Sequence, residues 1–88
     1  MGPARHVSIA NRLRRAEGHI RSLVSMIDSG RDCVELAQQL HAIEAAIANA
    51  KRELVHAHLS HCLDGALNNG TMSSEQAITE MRALTKYL

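Results

Sequence analysis

The chain has 88 residues, one domain near the lower limit at which a single chain buries a sizeable core. It has no Trp, no Phe and one Tyr, so any core is built from Leu, Ile, Val, Ala and Met. That composition suits a helix bundle whose burial is completed by oligomerisation. A formal charge of +1 does not by itself mark a nucleic-acid binder, and no apolar run is long enough to span a bilayer. Two cysteines without a secretory apolar segment point to the reducing cytoplasm, where thiols bind metals or react rather than pair as disulfides.

The charge distribution says more than the total. Arg5, Arg12, Arg14, Arg15, Arg21 and Arg31 precede the middle of the chain, opposed there by Glu17 and Asp28. Residues 1–7 are expected to form a flexible N-terminal arm. From there Ile9, Leu13, Ala16, Ile20, Leu23 and Ile27 recur at alternating spacings of four and three, the seam of an amphipathic helix. The spacing predicts helix 1 over Ser8–Asp28, with Ser8 as its N-cap and Gly30 as its stop. Gly18 lies inside at a cost of about 1 kcal/mol relative to Ala, a feature that often accompanies close helix packing.

Asp32 followed by Glu35 reads as a capping box opening helix 2. Leu36, Leu40, Ile43, Ile47, Ala50, Leu54 and Ala57 carry its seam, and the helix is expected to run to Leu63, with Gly65 and Asn68-Asn69-Gly70 ending it. Such a helix is about 45 Å long at 1.5 Å per residue, too long for an 88-residue monomer to cover. A second copy is therefore expected against it, across the small residues around Ala45 and Ala46. Ser73 with Gln76 caps a short helix 3 whose apolar face is Ala77, Ile78, Met81, Leu84 and Leu88. There is no strand signal and no internal repeat; the expected fold is all-α, three helices in a single domain.

His58 and Cys62 stand at i and i+4, so both reach one ion from one helix face. Cys33 precedes His58 by 25 positions, about 37 Å along an unbent helix. An antiparallel partner related by a two-fold axis near Ala45–Ala46 brings Cys33 of one copy to His58 and Cys62 of the other, giving two equivalent sites per dimer. The pattern leaves a second reading open: a cysteine at a helix start is commonly a small hydrophobe, and histidines near a helix end commonly meet carbonyls. His61 lies on the seam as a packed or supporting residue, Asp32 beside Cys33 is a further supporting candidate, and His19 and His41 read as surface or interhelical contacts.

The R-L-R-R-A-E-G-H-I segment (Arg12–Ile20), Cys33 opening helix 2, the Q-Q-L-H-A-I-E segment and the H-x-x-x-C pair resemble the CsoR/RcnR family of small bacterial repressors, over nearly the whole chain. The resemblance implies a homotetramer, a dimer of antiparallel four-helix dimers, that binds double-stranded operator DNA when unliganded and releases it with its effector. It implies phosphate contact by Arg12, Arg14, Arg15, Lys51 and Arg52 without a helix-turn-helix. It carries the metal ligands over as Cys33 with His58 and Cys62 of a second copy. Two thiolates and an imidazole favour Cu(I). Nickel- and cobalt-sensing members add an N-terminal nitrogen or histidine; the matching position here is about Met1, leaving His6 or the terminal amine as the possible extra ligand. Formaldehyde-sensing members use the first helix-2 cysteine with an N-terminal proline, whereas Pro3 here follows Met-Gly; reactive-sulfur members place a cysteine where this chain has His58. Outside the family, a metal-storage or delivery bundle that never touches DNA also fits the ligands. No nucleophile–base–orienter set is present, so an enzyme is not expected.

Overall fold

A computed structural model describes the backbone from residue 3 and the side chains from His6 to Leu88. Three helices follow one another: α1 (Pro3–Asp28), α2 (Cys33–Leu67) and α3 (Ser74–Leu84), with a closing 3-10 turn at Thr85–Tyr87. Helix α1 begins at Pro3 rather than Ser8, which lies within it, so the arm expected over 1–7 is helical from Pro3. Proline fits the first helical position because its fixed φ suits the helix and its missing N–H has no partner to lose. Met1 and Gly2, including the terminal amine considered as a ligand, lie outside the described residues.

The stop at Gly30 is as expected, and its hydrogen bonds show why. Gly30 has φ 78, its N–H donates to the Ile27 carbonyl at 3.1 Å, and the Arg31 N–H donates to the Met26 carbonyl at 3.1 Å. This is the paired arrangement of a Schellman cap, and it turns the chain back on itself. Asp32 then caps α2 by accepting from the Glu35 N–H at 3.3 Å. The reciprocal half of the expected box is taken elsewhere: the Glu35 carboxylate accepts from Arg31 at 2.6 Å.

Helix α2 runs to Leu67, past the Leu63 expected, with Gly65 buried inside it rather than ending it. A Cβ at Gly65 would stand 3.0 Å from the Met72 Cβ and 3.2 Å from the Thr71 hydroxyl. The glycine therefore serves close passage of the α2–α3 connection, not chain reversal. At Gly18, by contrast, nothing lies within 4 Å of a Cβ, so no close approach within the chain calls for it. The Ser73–Gln76 capping box of α3 forms in full.

Helix α2 packs on both α1 and α3. Ile9, Ala16 and Leu23 of α1 and Ile43, Ala50 and Ala57 of α2 are buried, each series stepping by seven residues. The other half of each seam is open: Leu13, Ile20 and Ile27 on α1, and Leu40, Ile47 and Leu54 on α2. On α3, Ala77 is buried whereas Ile78 is exposed; Leu88, expected on the same face, lies beyond the end of α3 after the 3-10 turn and is exposed as well. The reason is the shape of the molecule, whose extents are 56 × 24 × 13 Å. A helix with side chains is about 10–12 Å across, so the chain is one layer thick and covers each seam from one side only. Its radius of gyration, 17.8 Å, exceeds the roughly 12 Å of a compact chain of this length.

Candidate metal centre and nucleic-acid interface

Helix periodicity places His58 and Cys62 one turn apart on α2, and α3 folds back over them. The His58 imidazole Nε2 stands 2.8 Å from Glu80 Oε2, and the Cys62 thiol donates to the same oxygen at 3.4 Å. One donor atom from each of the three residues lies within 4.8 Å of the others, the only such group of three among the described residues. Cys62 is 0% exposed, while the Glu80 side chain is 46% exposed, so the cluster has a closed floor and an open rim.

The electrostatics follow from that geometry. The hydrogen bond from His58 holds the Glu80 carboxyl below its ordinary value, assisted by the bond from Cys62 and the charges of His58 and His61, against a desolvation acting the other way. Burial pushes the Cys62 thiol up, and the hydrogen bond and negative charge of Glu80 push it further. An ionised Glu80 can only accept, so the His58 Nε2 carries the proton it donates; in the neutral ring Nδ1 is then the nitrogen with a free lone pair. A carboxylate that fixes the tautomer of a histidine in this way is the usual companion of a metal-binding imidazole.

Cys33 is the first residue of α2 and is exposed. It lies about 37 Å from His58 along the helix axis at 1.5 Å per residue, so one chain does not bring the three sequence-derived ligands together. Asp32 serves as the helix cap next to Cys33. The His61 ring stands 5.8 Å from that of His58, against the cluster without being one of its three donors. His6 lies on α1 and is likewise not a member. Glu80 was not singled out from the sequence. Its one signal was position: it stands three residues after Ala77 and four before Leu84, a carboxylate set into the apolar stripe of α3.

The basic residues singled out from the sequence are distributed over α1 and α2. Arg12 and Arg15 line a groove of about 320 Å³ with Ala16, His19, Ala46 and Asn49. Arg12 pairs with Glu53 across the helices at 3.0 Å, and Arg52 donates to the Asn49 side chain at 2.7 Å. Arg14 donates to Asn11 at 2.7 Å on α1, and Lys51 lies beside Arg52 near Tyr87 and Leu88. The His19 ring is hydrogen-bonded to Gln39 at 2.6 Å, the interhelical contact expected for it.

Three helices carrying a His/Cys/carboxylate cluster and a series of arginines define an all-helical protein with a candidate metal site. The family profile for metal-sensitive transcriptional repressors matches residues 5–87. The copper-sensing transcriptional repressor CsoR of Bacillus subtilis is 38% identical over 73 residues, 83% of this chain and 70% of that protein. The copper-sensing repressor RicR of Mycobacterium tuberculosis is 32% identical, over 84% of this chain and 77% of its own. The solved structure of the nickel-responsive transcriptional regulator InrS is similar with a TM-score of 0.79 at 30% identity, covering 92% of this chain and 90% of that one. The chain belongs to the metal-sensitive transcriptional repressors, a family of regulators and not of enzymes. No helix among the described residues is long and apolar enough to cross a membrane.

Proposed function

We propose that this protein is a cytoplasmic Cu(I)-responsive repressor that holds operator DNA in its metal-free form and releases it when Cu(I) joins Cys33 of one copy to His58 and Cys62 of another. The observation that carries the proposal is the open half-seam of α2: Leu40, Ile47 and Leu54 lie exposed between Cys33 at one end and the His58–Cys62 pair at the other. An antiparallel second copy covers that half-seam and brings Cys33 to the cluster in a single act. Burying Leu, Ile or Val completely is worth about 1.5–3 kcal/mol per side chain, so six half-exposed residues across a symmetric pair favour association strongly. The open residues Leu13, Ile20 and Ile27 of α1 complete the four-helix dimer, and two dimers make the tetramer. Ala42, Ala45 and Ala46, all exposed, leave room for the two α2 helices to cross closely.

Each residue has a distinct task at the shared site. His58 offers Nδ1, held in place because its Nε2–H is anchored on Glu80. Cys62 offers a buried thiolate once its proton has left, and Cys33 supplies a second thiolate. Two soft sulfurs with one imidazole are the donor set that suits Cu(I). Arg12, Arg14, Arg15, Lys51 and Arg52 meet phosphates; Tyr87 beside Lys51 and Arg52 is the one aromatic of the Phe, Tyr or Trp type in the chain, so readout depends chiefly on the backbone and on duplex shape. Tying the two ends of α2 together changes the angle between copies and with it the spacing of the arginine flanks. A change worth about 3 kcal/mol weakens DNA binding roughly hundredfold.

The likeness to a nickel-responsive regulator favours Ni(II) or Co(II) as the second reading, with His6 or the terminal amine completing a four-ligand set. Membership of a repressor family removes the storage-bundle reading. Anaerobic titration of the protein on its operator separates the rest: Cu(I) releases DNA at one equivalent per chain, and Cys33→Ala and His58→Ala each abolish release. Unchanged DNA affinity with Cu(I) bound would sink the proposal.

A further inference from the structure

Glu80 gives the cluster a donor that Cu(I) does not need. Cu(I) is satisfied by two sulfurs and one nitrogen, and a carboxylate is a hard oxygen that suits divalent ions instead. Within one chain, however, imidazole nitrogen, thiol sulfur and carboxylate oxygen already converge. A tetrahedral zinc ion with bonds of about 2.0–2.3 Å needs its ligand atoms roughly 3.3–3.8 Å apart. The pairs found here are 2.8 Å for His58–Glu80 and 3.4 Å for Cys62–Glu80, with all three donors inside 4.8 Å. The His58 and Glu80 side chains, 32% and 46% exposed, are the ones that would turn to close that gap around the buried Cys62 sulfur. The open rim on the Glu80 side leaves a fourth position for water.

We infer that His58, Cys62 and Glu80 form a separate seat for a divalent ion of the zinc type, complete within one chain and independent of Cys33. It rests on the repressor reading for its regulatory meaning. The two modes use opposite nitrogens of one ring. Between copies, His58 binds through Nδ1 and keeps its Nε2–H on Glu80. Within the chain, the ion takes the Nε2 position, the ring proton moves to Nδ1, Cys62 gives its proton to solvent, and Glu80 changes from hydrogen-bond acceptor to ligand. A zinc ion so held ties α2 to α3 of the same chain. It occupies the donors without joining two copies, so it fills the sensor without releasing DNA. Discrimination between monovalent copper and divalent zinc then lies in which helices the ion connects, not only in how tightly it binds.

The full chain, reduced and metal-free, is loaded anaerobically with Zn(II) alone or Cu(I) alone. X-ray absorption is expected to count one sulfur per zinc and two per copper. Chelator competition is expected to show that Cys33→Ala changes zinc affinity less than threefold while copper affinity falls more than a hundredfold. Glu80→Gln separates the two roles of that residue, because an amide oxygen still accepts the His58 hydrogen bond but is a poor zinc ligand. That variant is expected to lose at least tenfold in zinc affinity and less than threefold in copper affinity. Two sulfurs per zinc, a steep zinc loss in Cys33→Ala, or equal losses of both metals in Glu80→Gln overturn the inference. Release of DNA by zinc overturns it and leaves the repressor reading standing. DNA retention with Cu(I) bound removes the repressor reading while a count of one sulfur per zinc upholds the intrachain seat.

Discussion

Ile47→Asp tests the open half-seam at its centre. Ile47 is 44% exposed in the single chain and lies beside the Ala45–Ala46 crossing point. Covering what remains exposed is worth about 1 kcal/mol, taking 1.5–3 kcal/mol for a complete burial. Placing a polar group there without a partner costs a further 1–3 kcal/mol or so, more if it stays charged. Two-fold symmetry counts each copy, so the pair loses about 4–8 kcal/mol, and at about 1.4 kcal/mol per decade the dissociation constant rises roughly 10³- to 10⁶-fold. Ile47→Ala adds no charge and is expected to shift it only about tenfold. Sedimentation at micromolar concentration, with helix content followed by circular dichroism, reads the result directly. The aspartate variant should fall to smaller species and lose both DNA retention and the two-sulfur copper site. An unchanged sedimentation profile would mean that this stripe faces solvent in the assembled protein, and the geometry proposed for the site would fall with it.

Replacing Arg12, Arg14 and Arg15 together by Ala should abolish gel retardation and lower the salt dependence of residual binding by about one unit of slope per lost phosphate contact; the Arg12–Glu53 pair that is lost with them is an exposed one, worth about 0–1 kcal/mol, so thermal stability should barely change. Gly65→Ala forces a Cβ against Met72 and Thr71 and should destabilise the fold by about 1–3 kcal/mol, visible as a lower Tm; an unaltered Tm would contradict the close passage described. The Glu80 carboxyl is held below its ordinary value in the folded chain, so its bonds to His58 and Cys62 support the α2–α3 contact above the ordinary glutamate range and are lost as pH falls through the depressed value. Amide exchange of metal-free protein in α3 should accelerate over that acidic window, and Glu80→Gln should flatten the response.

The helices were legible because their signals are local. The seven-residue stepping of Ile9, Ala16 and Leu23, the Gly30 stop, the Asp32 cap and the Ser73–Gln76 box each depend on residues within a turn or two of one another. The i, i+4 pairing of His58 and Cys62 was legible for the same reason. The role of Gly65 is not legible in the sequence because the feature that requires glycine is the return of Thr71 and Met72 past it, a contact made after the turn. The start of α1 is not legible because Pro3 and Ala4 offer no apolar periodicity, although proline is at home in a first helical turn. Glu80 went unseen because its partners lie on another helix, and only the fold-back of α3 carries its carboxylate to them.

The two sulfurs of this chain stand in unequal surroundings, Cys33 open at the head of α2 and Cys62 sealed beneath α3. In the separated chain, an alkylating reagent therefore marks Cys33 first, and marks Cys62 only as fast as α3 lifts away. The ratio of the two labelling rates is a direct gauge of how firmly the carboxyl-terminal helix is latched.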